Sequence, residues 1–270
     1  NKLGKSRKAR WLPTWNVSAA WNAHEEEFWQ SFRDVVSNMT LKASYSLTAD
    51  RGPASVSNSK AIINSYNTWR PFTSMKESGL ILSSVENSEL TYEKKHELNI
   101  GAEIGFIDNR INIEADWYTR NNFDLIGLIY TKGTGGQLAK FANVASMKSS
   151  GVEFTVSTRN IKTKDFSWNT DFIFSHTKNE VTDLQSNASV MDMISGNGFA
   201  MEGYPVRALF SMDFQGLNEN GYPTFINEKG QLTVSDINFQ EQLKKDHLVY
   251  EGPTDPTMTG SLGNIFRYKG

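Results

Sequence analysis

Hydrophobic and polar residues alternate along this chain with a period of two. Over residues 97–106, Leu98, Ile100, Ala102, Ile104 and Phe106 fall on one side, and Glu97, Asn99, Gly101, Glu103 and Gly105 on the other. Successive side chains of an extended strand point to opposite faces, so the segment predicts a strand with one apolar and one wet face. Residues 111–118 obey the same rule, with Ile111, Ile113, Ala115 and Trp117 opposite Asn112, Glu114, Asp116 and Tyr118. The short connection Ile107-Asp108-Asn109-Arg110 makes the pair a hairpin. The phase returns in Leu41, Ala43, Tyr45 and Leu47, in Val152, Phe154 and Val156, and in Trp168, Thr170, Phe172 and Phe174, where Ile173 intrudes on the polar side. The pattern predicts seven long antiparallel strands near residues 11–21, 39–49, 92–106, 111–125, 148–160, 166–178 and 258–268. At about 11–15 residues they exceed the ~5–6 usual in globular sheets and suffice for the ~9–11 that cross a bilayer at a tilt.

Connection lengths alternate too. Short turns at residues 107–110 and 161–165 are interleaved with polar excursions over residues 50–91, 126–146 and 179–257. In a meander every second connection lies at the same end of the sheet, so one end is trimmed and the other elaborated, as in outer-membrane barrels. One longer connection, residues 22–38, falls on the short side. There Phe28, Phe32 and Val36 share an i, i+4 face behind Glu25, Glu26 and Glu27, which predicts a short helix serving as a cap or docking element. Trp11, Trp15, Trp21, Tyr92, Trp117, Phe123, Phe166 and Trp168 are placed near strand ends, the positions of interfacial aromatic girdles. Alternation by itself is equally a property of a β-sandwich, so a secreted, soluble β-rich binding module remains the alternative.

Composition narrows the function classes. A net charge of −2 lacks the broad basic field of a nucleic-acid binder, and no nucleic-acid partner is expected. The absence of cysteine excludes disulfide scaffolds, thiolate catalysis and cysteine-ligated metals. No window reaches the ~18–20 consecutive apolar residues of a membrane helix. The first residues, Asn1 to Lys8, are charged but lack the apolar stretch of a signal peptide, and the chain is expected to be an internal piece of a longer one.

Enzyme chemistry finds no purchase. His24, His96, His176 and His247 stand apart, without a zinc-protease motif or a nucleophile elbow. Gly133-Thr134-Gly135-Gly136-Gln137-Leu138-Ala139-Lys140 departs from a phosphate loop at Ala139 and at Phe141, where a hydroxyl would hold magnesium. Asn218-Glu219-Asn220-Gly221 breaks the calcium-loop spacing and reads as a polar turn. Glu97, Glu103, Glu114, Asp116, Glu153 and Asp171 could supply a glycosidase pair, but all share the polar strand phase, where a wet lumen explains them. The expectation is a non-enzyme with no cofactor and no metal.

Several stretches resemble one family. They are Arg10-Trp11-Leu12-Pro13-Thr14-Trp15-Asn16-Val17-Ser18-Ala19-Ala20-Trp21, then residues 41–48, then Asn87-Ser88-Glu89-Leu90-Thr91-Tyr92-Glu93 running through Phe106 to Trp117-Tyr118. Asn143-Val144-Ala145-Ser146-Met147-Lys148-Ser149-Ser150-Gly151-Val152-Glu153-Phe154, Glu202-Gly203-Tyr204-Pro205-Val206 and Gly263-Asn264-Ile265-Phe266-Arg267-Tyr268 follow in the same order. Together they are similar to the barrel of the SusC/RagA-like, Bacteroidota-type TonB-dependent outer-membrane transporters.

The resemblance implies an all-β antiparallel meander, part of a 22-stranded transmembrane β-barrel with long extracellular loops. It implies that residues 1–270 are a fragment of the barrel domain, lacking the plug and the last strands. It also implies import of a large nutrient, glycan or peptide, across a Gram-negative outer membrane, with energy from TonB and a SusD-like surface lipoprotein as partner. Recognition would then sit in the loops. Tyr66, Trp69, Arg70 and Phe72 bring rings and a guanidinium into one polar loop, groups suited to stacking on sugars or holding peptide carboxylates, and equally to a membrane-distal patch on which a long loop packs against itself.

Overall fold

The computed structural model describes residues 11–52, 60–68, 77–130, 139–185 and 188–269. Among them the chain runs through β1 (Trp15–Asn22), β2 (Val36–Asp50), β3 (Ile62–Thr68), β4 (Glu77–Ser84), β5 (Glu93–Phe106), β6 (Ile111–Tyr130), β7 (Ala139–Lys162) and β8 (Phe166–Leu184). There follow a single helical turn, α1 (Val190–Met193), then β9 (Ala208–Met212), β10 (Phe214–Leu217), β11 (Pro223–Ile226), β12 (Leu232–Thr233), β13 (Leu248–Pro253) and β14 (Met258–Tyr268). The long strands form a seven-stranded antiparallel sheet in the order β1-β2-β5-β6-β7-β8-β14.

Cross-strand register turns the sequence phase into two continuous faces. One row links Ala19, Ala43, Ile100, Trp117, Val152, His176 and Met258, each directly opposite the next. The row beside it on the same face links Trp21, Leu41, Ala102, Ala115, Phe154, Phe174 and Gly260. The opposite face carries the row Ala20, Lys42, Gly101, Asp116, Glu153, Ser175 and Thr259. A register slip of one residue would exchange the faces, so seven strands agreeing in phase exclude every odd slip. Ile173, out of phase in the sequence, does stand on the polar face, opposite Thr155 and Ser261.

The apolar face has no protein cover. Ile100 is 48% exposed and Leu262 68%. The buried cluster among the described residues lies elsewhere, where Ala188, Met193, Ala208 and Phe210 pack with Phe199, Met201, Tyr204 and Leu248 in the long β8–β14 connection. Rows of rings border the apolar face. Toward the long connections, Trp15, Tyr45, His96 and Phe123 follow one another at 5.3, 5.9 and 5.9 Å. Toward the short turns, Phe266 stacks on Phe166 and Trp168. From His96 to Phe106 the strand rises ~33 Å, which a tilt of ~35–45° reduces to ~25 Å, the height of the apolar band of a membrane barrel. Trp117, grouped with the strand-end aromatics from sequence, sits instead in mid-strand between Ile100 and Val152.

Strand existence agrees with expectation, and several boundaries do not. The expected excursion over residues 126–146 is mostly strand, because β6 continues to Tyr130 and β7 starts at Ala139. A bulge hides this: register shifts between Asn122 and Leu125, with Asp124 at φ 56. The other two excursions contain sheets of their own, the β3–β4 hairpin and the β9–β13 and β10-β11-β12 sheets. The helix expected before β2 is two 3-10 turns, Ala23–Glu25 and Glu27–Phe32, while Val36 opens β2. Glu26, extended at φ −77 and ψ 150, breaks the helix, and its carboxylate accepts the Trp21 indole N–H at 2.9 Å, which holds it out of helical geometry.

β1 and β14 end the sheet and do not pair with each other, and every residue of both is exposed. Among the described residues the barrel does not close. Unpaired strand edges in hydrocarbon cost several kcal/mol per group, so within a bilayer these edges require further strands.

Candidate functional site

The charged face of the sheet is built from single strand positions that alternate away from the apolar face. Glu103 stands directly opposite Glu114, and Asp116 opposite Glu153. Like charges facing each other across strands destabilise a sheet unless water or a cation intervenes. Lys42, one strand over, contacts the Glu103 carboxylate, and both side chains remain more than 40% exposed. Toward the long connections the lining changes character. Tyr118, 4% exposed, lies over Gly151 and shares a 2.8 Å hydrogen bond with the Thr177 hydroxyl. The Arg120 guanidinium sits 4.0 Å from the Tyr118 ring centre and 3.2 Å from Glu97, which also pairs with Lys95 at 2.7 Å. This arrangement holds no nucleophile beside a base. Chemically it is a wet wall that can pass or orient polar solutes.

At the elaborated end the β8–β14 connection folds back onto the sheet. The Val181 N–H donates to Tyr204 O at 2.9 Å, the Gly203 N–H to Val181 O at 2.8 Å, and the Val206 N–H to Asn179 Oδ1 at 2.9 Å. Between this strap and the start of β14 lies an open cleft of about 580 Å³, lined by residues that include Lys178, Asn179, Glu180, Tyr204, Tyr250 and Asp255. Tyr204, Phe210 and Tyr250 form a triangle with centroid separations of 5.0–5.7 Å, so the cleft has a rigid aromatic wall beside charged groups. Asp255 is engaged by Arg207 at 2.8 Å. Sequence reasoning did not single out this cleft. The word Glu202-Gly203-Tyr204-Pro205-Val206 was its visible trace, but Thr177 and Tyr250 are brought to it only by the fold.

Of the residues expected to carry recognition, Tyr66 lies on β3, 54% exposed. Trp69, Arg70 and Phe72 lie outside the described residues. Asn218 makes the polar turn expected of it, its Oδ1 accepting from the amides of Asn220 and Tyr222 at 3.0 and 2.9 Å. Among the described residues no three His, Cys, Asp or Glu side chains gather as metal ligands.

One loop carboxylate gives a pH prediction. Glu241 accepts backbone N–H groups from Leu243, Lys244 and Gln242, which hold its pKa below the usual glutamate value. Because the folded value is depressed, this order is complete above the ordinary glutamate range and fades as pH falls through the folded value. Hydrogen-exchange protection of the Leu243 and Lys244 amides is expected to drop in that acid window, and Glu241→Gln should flatten the drop.

Residues 3–230 match the family described as TonB dependent receptor-like, beta-barrel. The chain belongs to this family. The TonB-dependent receptor P3 of Formosa agariphila is 23% identical over 100% of this chain and 28% of its own length. The TonB-dependent receptor SusC of Bacteroides thetaiotaomicron is 24% identical over 98% of this chain and 27% of its own. A solved structure of the RagAB peptide transporter superposes on this receptor chain with a TM-score of 0.77, at 20% identity, over 98% of this chain and 29% of that one. The chain therefore spans less than a third of the length of these relatives. TonB-dependent receptors are outer-membrane proteins of Gram-negative bacteria, which gives the uncovered apolar face of this receptor chain a reason to exist.

Proposed function

We propose that this chain forms part of the 22-stranded barrel of an outer-membrane importer, closed by a plug, that takes up a large nutrient, oligosaccharide or peptide, in a Bacteroidota-type bacterium. The observation that carries the reading is the seven-strand agreement in phase, one face apolar and uncovered, the other charged. The apolar face meets lipid, the charged face lines the lumen, and the short turns point to the periplasm with the long connections outside. TonB supplies the energy, and a SusD-like lipoprotein covers the extracellular end. The RagAB peptide transporter, to which the chain is similar, supports peptide as a substrate class, and SusC, to which it is also similar, supports the TonB-dependent reading.

The test is growth. A strain lacking the full-length receptor, supplied with oligosaccharides or oligopeptides as limiting nutrient, should fail on one class and recover with the gene restored. Normal growth on both would overturn the reading. A surface lipoprotein should co-purify with the detergent-extracted receptor. Tyr66, Trp69, Arg70 and Phe72 are proposed as part of the recognition surface, with each aromatic contact contributing ~0.5–1.5 kcal/mol. Trp69→Ala is therefore expected to lower uptake severalfold while heat-modifiable migration of the barrel on gels stays unchanged. Undiminished uptake would remove Trp69 from the site, and lost migration would assign it to loop packing.

A further inference from the structure

The apolar face does not stop where β1 ends. Trp21, the last residue of β1 in the apolar phase, has its ring 6.4 Å from Phe28 in the turn that follows. Phe28 is 6.2 Å from Trp29, and Trp29 6.0 Å from Phe32, so a file of rings continues the face beyond the strand. The turn is tied down. The Trp29 indole donates to Val36 O at 3.0 Å, the Met39 N–H to His24 Nδ1 at 3.3 Å, and Arg33 to His24 O at 3.4 Å.

Yet two of its rings and a neighbouring valine are not covered, while Trp29 is half-buried. Phe28 is 58% exposed, Phe32 57% and Val35 62%. A segment fastened to β2 at two points and braced internally at a third, with its large apolar groups turned outward, is a surface prepared for an apolar partner. The same segment is acidic, with Glu25, Glu26, Glu27 and Asp34 all exposed against the single Arg33.

We propose that residues 23–35 form a foot that lies in the inner-leaflet interface, with Phe28 and Phe32 among the acyl chains, and that it favours zwitterionic over anionic phospholipid. Continuity with the lipid-facing band through Trp21 selects lipid as the occupant, and the acidic rim disfavours an anionic headgroup such as that of phosphatidylglycerol. The inference rests on the membrane reading above, which places the short turns on the periplasmic side.

Nitroxide labels separate the two. In the full-length receptor freed of other cysteines, labels are placed singly at Phe28→Cys, Phe32→Cys, Glu25→Cys and, on the band, Ile100→Cys. The receptor is reconstituted in phosphatidylcholine vesicles with either phosphatidylethanolamine or phosphatidylglycerol as second lipid. The ratio of oxygen to nickel-chelate accessibility should be severalfold higher at positions 28, 32 and 100 than at 25. At 28 and 32 it should fall when phosphatidylglycerol replaces phosphatidylethanolamine, and Glu25→Lys with Glu27→Lys should reverse that preference. Water-like ratios at 28 and 32 beside a lipid-like ratio at 100 would overturn the foot and leave the membrane reading standing. A water-like ratio at 100 would overturn both. Labels at 28 and 32 shielded from both reagents would mean a protein partner covers the turn, and equal ratios in the two lipids would remove the headgroup preference.

Discussion

Replacing Ile100 by arginine is expected to cost the receptor ~2–4 kcal/mol of bilayer-folding stability, whereas Glu103→Gln should cost little. Ile100 lies near the centre of the apolar band, between His96 at one rim and Phe106 at the other, and faces Ala43 and Trp117 across the ladder. An arginine there must carry its charge into hydrocarbon or drag water to it. Depth sharpens the test. Ile104 occupies the same face but sits close to the short-turn end, so Ile104→Arg should cost less, approaching the ~0–1 kcal/mol of interfacial sites. Equal costs at Ile100 and Glu103, measured by denaturant titration in lipid vesicles, would contradict the assignment of the faces.

The second large effect is expected on the charged face. Gly151→Ala should destabilise by ~1–3 kcal/mol, the usual cost of overpacking. A Cβ at Gly151 would lie 2.6 Å from the His176 carbonyl oxygen and 2.6 Å from the Tyr118 hydroxyl. The first of these is backbone and cannot swing away, and displacing Tyr118 would also lose its bond to Thr177, ~1 kcal/mol more. Gly101→Ala is the contrast. Its added Cβ meets the end of the Asp116 side chain, a half-buried carboxylate whose flexible end can rotate aside. A Gly101→Ala cost matching that of Gly151→Ala would show that strand glycines matter here through backbone freedom alone.

The parts of the fold legible in the sequence are those where one phase persists. Residues 97–106 and 111–118 keep strict alternation because each side of the strand meets a different solvent. Legibility fails where a local feature breaks the phase. The bulge at Phe123 and Asp124 made the continuation of β6 and β7 read as loop. Phe28 and Phe32 suggested an α-helix, but the indole of Trp21 captures Glu26 and splits the segment into tighter turns. Of the candidate site, the charged wall was readable, since Glu103, Glu114, Asp116 and Glu153 share one phase. The cleft was not, because Thr177, Tyr204 and Tyr250 come together only when the β9–β13 sheet folds back on β8, and no local pattern announces that contact.

The most direct test of the central claim is a cysteine scan of residues 97–106, a region of a chain with no native cysteine. The full-length receptor, without cysteines elsewhere, would be displayed in native outer membranes and treated in parallel with a lipid-soluble and a water-soluble thiol reagent. The account predicts strict alternation: even positions from Leu98 to Phe106 react with the lipid-soluble reagent and odd positions from Glu97 to Gly105 with the water-soluble one. Reaction of both sets with the water-soluble reagent, or alternation in the opposite phase, would contradict it.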